Sequence, residues 1–117
     1  MKTLYHIAQA SDWQQAQQVG TYTESTMGKT LENVGYIHMS FAHQVKQVAD
    51  FIYAGVDNLV LLKVNPDKLL SEVKVESVEG TVEKFPHLYG PLNLNAIEDV
   101  LPYPKQADGS FQAVTEE

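Results

Sequence analysis

Histidine, serine and tyrosine side chains carry most of the chemistry available to this chain. There are four imidazoles, His6, His38, His43 and His87. Three of them sit in strand-like stretches beside aromatic or hydroxyl neighbours: Tyr5-His6-Ile7, Tyr36-Ile37-His38-Met39-Ser40 and Phe85-Pro86-His87-Leu88-Tyr89. An imidazole titrates near pH 6.5, so it can act as a general acid or base near neutrality. This makes His6, His38 and His87 the candidate catalytic residues. Tyr36 and Tyr89 can stack on a planar ring, and Ser40 can hold an anion at a helix start, so these three are the candidate ligand-binding residues.

Other chemistries fit the same residues less well. Imidazole ligates zinc, copper and iron, but His38 and His43 lie five apart across a strand-to-helix junction, with no H-x-x-x-H or H-E-x-x-H spacing. A His-based metal site is therefore the weaker alternative. Ser40 lacks the G-x-S-x-G turn of an activated nucleophile and reads first as a helix N-cap. For any single histidine, a structural hydrogen bond competes with a catalytic role. That defines a second class of function: a non-catalytic protein-interaction module whose histidines rigidify the fold.

These residues must be positioned by the elements that carry them. Thr3 to Ala8 reads as a first strand, with Tyr5 and Ile7 on one face and Leu4 and His6 on the other. Ser11 and Gln14 match a capping box, which predicts a helix from Asp12 to Val19 ended by Gly20, with Trp13 anchoring it to a sheet. Thr21 to Val34 reads as a loop with one helical turn near Lys29 to Asn33. In Gly35 to Ser40, alternation puts Tyr36, His38 and Ser40 on one face and Ile37 and Met39 on the other. Ser40 then caps a helix from Phe41 to Ala54, whose apolar positions Val45, Val48, Ala49 and Ile52 follow helical spacing and which Gly55 stops.

Asn58 to Val64 predicts an interior strand, and Pro66 opens a helical turn through Leu70. Val73, Val75 and Val78 predict a solvated strand, followed by a turn at Gly80. Pro86 lacks a ladder donor, which predicts an edge or bulged position for the Phe85 to Gly90 strand. Asn95 to Val100 reads as a turn passing into a strand, Asp108-Gly109 as a tight turn, Phe111 to Val114 as a short final strand, and Glu116-Glu117 as a frayed end. If the strands pair, His6, the Tyr36/His38/Ser40 set and the Phe85/His87/Tyr89 set can face one side, and His6, Tyr36, His38, Ser40, His87 and Tyr89 can line a cleft.

Composition bounds the function. The chain has 117 residues, 44% hydrophobic and 20% charged, which fits a single α+β domain spanning residues 1–117. The net charge of −7 disfavours a nucleic-acid partner, and all eight basic residues are lysines, so no arginine fork can grip phosphate. With no cysteine, disulfides and thiolate chemistry are excluded. An apolar run such as Leu59 to Leu62 is far short of a membrane span, and Met1 to His6 meets polar Gln9, Ser11 and Asp12 too soon for a signal-peptide core. A cytoplasmic location is the expectation.

Tyr5-His6-Ile7, Trp13, Gly35-Tyr36-Ile37-His38-Met39-Ser40, Gln44-Val45, Phe85-Pro86-His87-Leu88-Tyr89-Gly90-Pro91-Leu92 and Gly109-Ser110-Phe111 together resemble the DUF-952 family of small bacterial proteins of unknown function. That family in turn looks remotely like the ADP-ribosyltransferase fold, a mixed, antiparallel split sheet with two main helices that clasps NAD. The resemblance implies that His6 contacts a nicotinamide ribose, and it matches Tyr36 or Ser40 to a second ligand-binding position. The late-strand glutamate of such transferases has no identifiable counterpart. His87 and Tyr89 occupy that segment, and Glu98 and Asp99 are unplaced alternatives. The resulting expectation is NAD or a related nucleotide-like ligand in a cleft lined by His, Tyr and Ser.

Overall fold

The computed structural model describes residues 1–77 and 82–115, so the sequence readings at Val78, Gly80 and Glu116-Glu117 lie outside the described residues. The strands are β1 (Leu4–Gln9), β2 (Thr21–Tyr22), β3 (Ile37–His38), β4 (Leu59–Val64), β5 (Val73–Ser77), β6 (Lys84–Leu88), β7 (Leu92–Asn93) and β8 (Ile97–Pro102). The α-helices are α1 (Ala10–Val19), α2 (Leu31–Val34) and α3 (Val45–Ile52). β4 lies between β1 and β8, β6 lies between β3 and β5, and β2 pairs with β7, all antiparallel. The two larger sheets join through a bridge in which Tyr5 and Ser40 exchange main-chain hydrogen bonds, both 2.8 Å. The fold is α+β, built on a split antiparallel sheet with a few helices.

Strand alternation sorts the core into two layers. Tyr5 and Ile7 pack with Leu59, Leu61 and Phe85 beneath α3. Leu4 and Ala8 pack on the opposite face with Ile37, Met39, Leu62 and Leu88, alongside Ala16 of α1. Trp13 is partly buried against this second layer, in keeping with its anchoring role.

Where the chain departs from sequence expectation, a tertiary partner has replaced a local one. α1 starts at Ala10, earlier than the Ser11 box predicts, because the Ala10 N–H donates to Asn58 O at 2.8 Å and needs no side-chain cap. Ser40 does not cap a helix. Both its main-chain groups are spent on Tyr5, and the Phe41 N–H is instead taken by the Gln44 side chain at 3.0 Å. A 3-10 turn over Ala42–Gln44 therefore precedes α3, which ends at Ile52 rather than Ala54.

β6 is a central strand, not an edge. Met39 N–H donates to Pro86 O at 3.0 Å, and the reciprocal bond is the one proline cannot make. The missing donor thus falls where β3 has already ended. Residues 111–114 form no strand. The Phe111 main chain is held by side chains instead, its N–H donating to Asp50 at 2.8 Å and its carbonyl accepting from Lys46 at 2.7 Å. Part of the expected 21–34 loop forms β2, and the helical turn expected within it forms as α2.

Candidate functional site

His38 and His87 face each other across β3 and β6. The flanking Met39–Pro86 hydrogen bond makes theirs a non-hydrogen-bonded pair, the register in which side chains stand closest. Their ring centroids are 5.7 Å apart. Tyr36 stacks on His87 at 3.9 Å and lies 5.5 Å from Tyr89, so the Tyr36/His38 and His87/Tyr89 sets share one face as alternation predicts.

Glu76 organises the outer end of this group. Its Oε1 accepts from His87 Nδ1 at 2.9 Å and from the Tyr89 hydroxyl, while Lys74 Nζ sits 4.9 Å from the Tyr89 ring centre. The Tyr89 bond, then the His87 bond, hold the Glu76 carboxyl below its ordinary range. The same contact pushes the Tyr89 phenol up to about 12. At the inner end, His38 Nε2 and His87 Nε2 are enclosed without a hydrogen-bond partner among the described residues. Burial, reinforced by the neighbouring His6 and His87, pulls the His38 imidazole down to about 4.

His6 does not join that face. It alternates with Tyr5 and Ile7, so it points into the layer that holds Leu4, Ala8 and Tyr22. Its Nδ1 lies 2.6 Å from the His38 carbonyl, which can only accept, so Nδ1 carries the proton. Nε2 is then the acceptor for the Tyr22 hydroxyl at 2.9 Å. Both nitrogens are satisfied, and burial draws the imidazole down to about 4 despite the opposing carbonyl contact. The imidazole occupies the gap where the sheet splits beyond Tyr5–Ser40. Side-chain direction thus pairs His38 with His87, while His6 meets His38 at its carbonyl and across the small cavity that the two border with Ser40.

Ser40 is buried, and its amide donates to Tyr5 rather than standing free at a helix start. The cavity at this junction, bordered by His6, Ser25, His38, Ser40 and Tyr53, is about 10 Å³, room for a single water at most. A wider depression of about 450 Å³ lies between the end of α3 and the turn at Gly109, and none of the candidate site residues lines it. His43 is exposed, with its ring parallel to Phe41 at 6.3 Å. Among the described residues, no group of three or more His, Cys, Asp or Glu could hold a metal ion, and no helix is long and apolar enough to cross a membrane.

Sequence reasoning missed Tyr22, Ser25, Gln44 and Glu76. Tyr22 and Ser25 sit in the polar 21–34 stretch, where no period marks them, yet Ser25 Oγ accepts from the His38 N–H at 3.2 Å. Gln44 is buried and donates to Lys84 O at 2.8 Å and Glu83 at 2.9 Å, tying the start of α3 to β6. Glu76 shows only an alternation of Glu and Lys against Val, and its partner depends on the β5–β6 register, which local pattern does not reveal.

The family model described as "Protein of unknown function (DUF952)" matches residues 7–100. The crystal structure of protein CC0527 from Caulobacter crescentus is similar, with 31% identity, a TM-score of 0.83, and coverage of 95% of this chain and 94% of that one. A double mutant of the same protein gives the same values. Its solution NMR structure has a TM-score of 0.80 at 31% identity, covering 96% of this chain and 93% of that one. No curated protein matches the chain.

Proposed function

The chain belongs to the DUF952 family, and from that premise we propose that it is a non-catalytic protein-interaction module whose histidines are structural. The observation that carries this reading is the state of His6. Its proton is fixed on Nδ1 by the part-buried His38 carbonyl and its lone pair is occupied by the buried Tyr22 hydroxyl. An imidazole held this way braces the split sheet and has neither a free base nor an available acid to offer. The cavity beside it, about 10 Å³, supports the same reading, since ligand pockets run to roughly 300–1,000 Å³.

An ADP-ribosyltransferase-like cleft for NAD would ask more of these residues. His6 would have to reach a ribose, and Ser40 with its helix start would have to hold an anionic group. The commitment of His6 to Tyr22 and of the Ser40 amide to Tyr5 weighs against both. The net charge of −7 weighs against an anionic dinucleotide.

The test is a titration of the labelled protein with NAD, ADP-ribose and nicotinamide, followed by amide shifts. The expected result is no saturable change at Gly35 to Ser40 or His87 to Tyr89 at millimolar ligand. Saturable shifts gathered on those two segments would overturn the module reading in favour of a pocket.

A further inference from the structure

Two strands form the outer edges of the joined sheets, β5 and β8. Edges are templates for pairing with another chain unless they are blunted by charge or proline. β8 is blunted. It carries adjacent Glu98 and Asp99, ends in Pro102, and is thrown out of register beside Lys63 and Val64. β5, Val73-Lys74-Val75-Glu76-Ser77, has no proline and alternates opposite charges on one face.

The ladder with β6 settles which of its main-chain groups face outward. Tyr89 N–H donates to Glu72 O at 2.8 Å, so alternate residues Lys74 and Glu76 turn their N–H and C=O toward β6. Val73, Val75 and Ser77 turn theirs to the open edge. Val75 is 42% exposed.

We infer that β5 pairs antiparallel with the β5 of a second copy of this chain, about a two-fold axis at Val75. In that register the outward groups of Val75 meet those of Val75, and Val73 meets Ser77. Lys74 of each copy then stands directly opposite Glu76 of the other, in the closely spaced pair position. Centring the axis on Lys74 would oppose Lys74 to Lys74, and centring it on Glu76 would oppose Glu76 to Glu76, both unfavourable. Of these three registers the charge order of β5 favours the one at Val75, and an isologous contact closes on itself. Both charges are already held on the pairing face, Lys74 over the Tyr89 ring and Glu76 by Tyr89 and His87. This deepens the module reading and rests on it, by naming a second copy as one partner.

Sedimentation equilibrium of the wild type, from micromolar to millimolar, should show 13.1 kDa protomers in exchange with a dimer. Lys74→Glu sets a carboxylate against Glu76 at both symmetry-related pair positions and should weaken the dimer by about tenfold or more. Glu76→Lys should do the same, and mixing the two variants should restore association, because each then supplies the charge the other needs. Val75→Pro removes an outward N–H without touching the β6 ladder and should give a folded monomer. A wild type that stays at 13.1 kDa throughout, or a dimer indifferent to Lys74→Glu and Val75→Pro, overturns the self-pairing. Such a failure leaves the histidine reading standing, since that is decided by the ligand titration.

Discussion

Tyr22 donates its hydroxyl to His6 Nε2 at 2.9 Å, joining a two-residue strand to the first strand at the point where the sheet splits. The rings meet edge to face at 5.1 Å, so packing and hydrogen bonding act on the same pair. Burial pushes the Tyr22 phenol up and keeps it a donor at any ordinary pH. Tyr22→Phe preserves the ring contact and leaves the buried Nε2 without a partner. The expected cost is about 1–3 kcal/mol of unfolding free energy, read from urea midpoints at constant m-value. A change near zero would mean that His6 is not held as described.

The same burial makes stability depend on pH. His6 and His38 titrate at about 4 in the folded chain, against 6.5 unperturbed. Above the unfolded value, both states are neutral and neither residue contributes. As pH falls from 6.5 toward 4, the unfolded chain takes up protons that the folded chain refuses, so stability declines across that window. Asp12 and Glu24, raised by burial, oppose the trend at its acidic end. Asp50, Glu76, Glu83 and Asp108 are lowered, and they add to the loss once the unfolded carboxylates protonate. The expected outcome is an unfolding midpoint that drops steadily from pH 6.5 to 4.5, with the ring-proton shifts of His6 and His38 flat down to about pH 5 and moving only below it. Either imidazole titrating near 6.5 in the folded protein would remove it as a source of that slope.

Much of the frame can be read from pattern. Ile37 and Met39 alternating with Tyr36, His38 and Ser40 gave the right faces, because a period of two fixes side-chain direction whatever the strand pairs with. The buried run of β4 and the stop at Gly20, with φ of 99°, follow from equally local physics. What local pattern lacks is the partner. Ser11 looks like a cap, but the Asn58 carbonyl serves α1. Ser40 looks like a cap, but Tyr5 takes both its main-chain groups. Pro86 looks like an edge residue, but the ladder it would break has already ended. The position of His6 is the most instructive case, since alternation put it beside Leu4 correctly, and only the register at Tyr5–Ser40 shows that this face is not that of His38.

Glu76 receives both His87 and Tyr89, and the second contact has a spectroscopic signature. The Tyr89 phenol is pushed up to about 12 chiefly by its hydrogen bond to that carboxylate. Glu76→Gln removes the charge while keeping an acceptor in place. The Tyr89 ionisation, followed by the chemical shift of its own ring at alkaline pH, should then move down toward the ordinary tyrosine range near 10. If the titration of Tyr89 is the same in both proteins, the carboxylate is not what holds it.

Gly90 is required by a close approach rather than by an unusual backbone angle. A β-carbon built there would lie 2.1 Å from Ser71 Oγ and 2.6 Å from Ser71 Cβ. Rotating the Ser71 hydroxyl relieves the first contact but not the second, so the backbone leading into β5 would have to move. That segment is pinned at once by the Tyr89 N–H to Glu72 bond, which leaves it little room. Gly90→Ala should therefore cost about 1–3 kcal/mol, the usual scale for overpacking. Ser71→Gly removes the atom that clashes, and the double variant should recover most of the loss. A double variant no more stable than Gly90→Ala alone would place the cost in the backbone of the Gly-Pro turn instead of in the contact with Ser71.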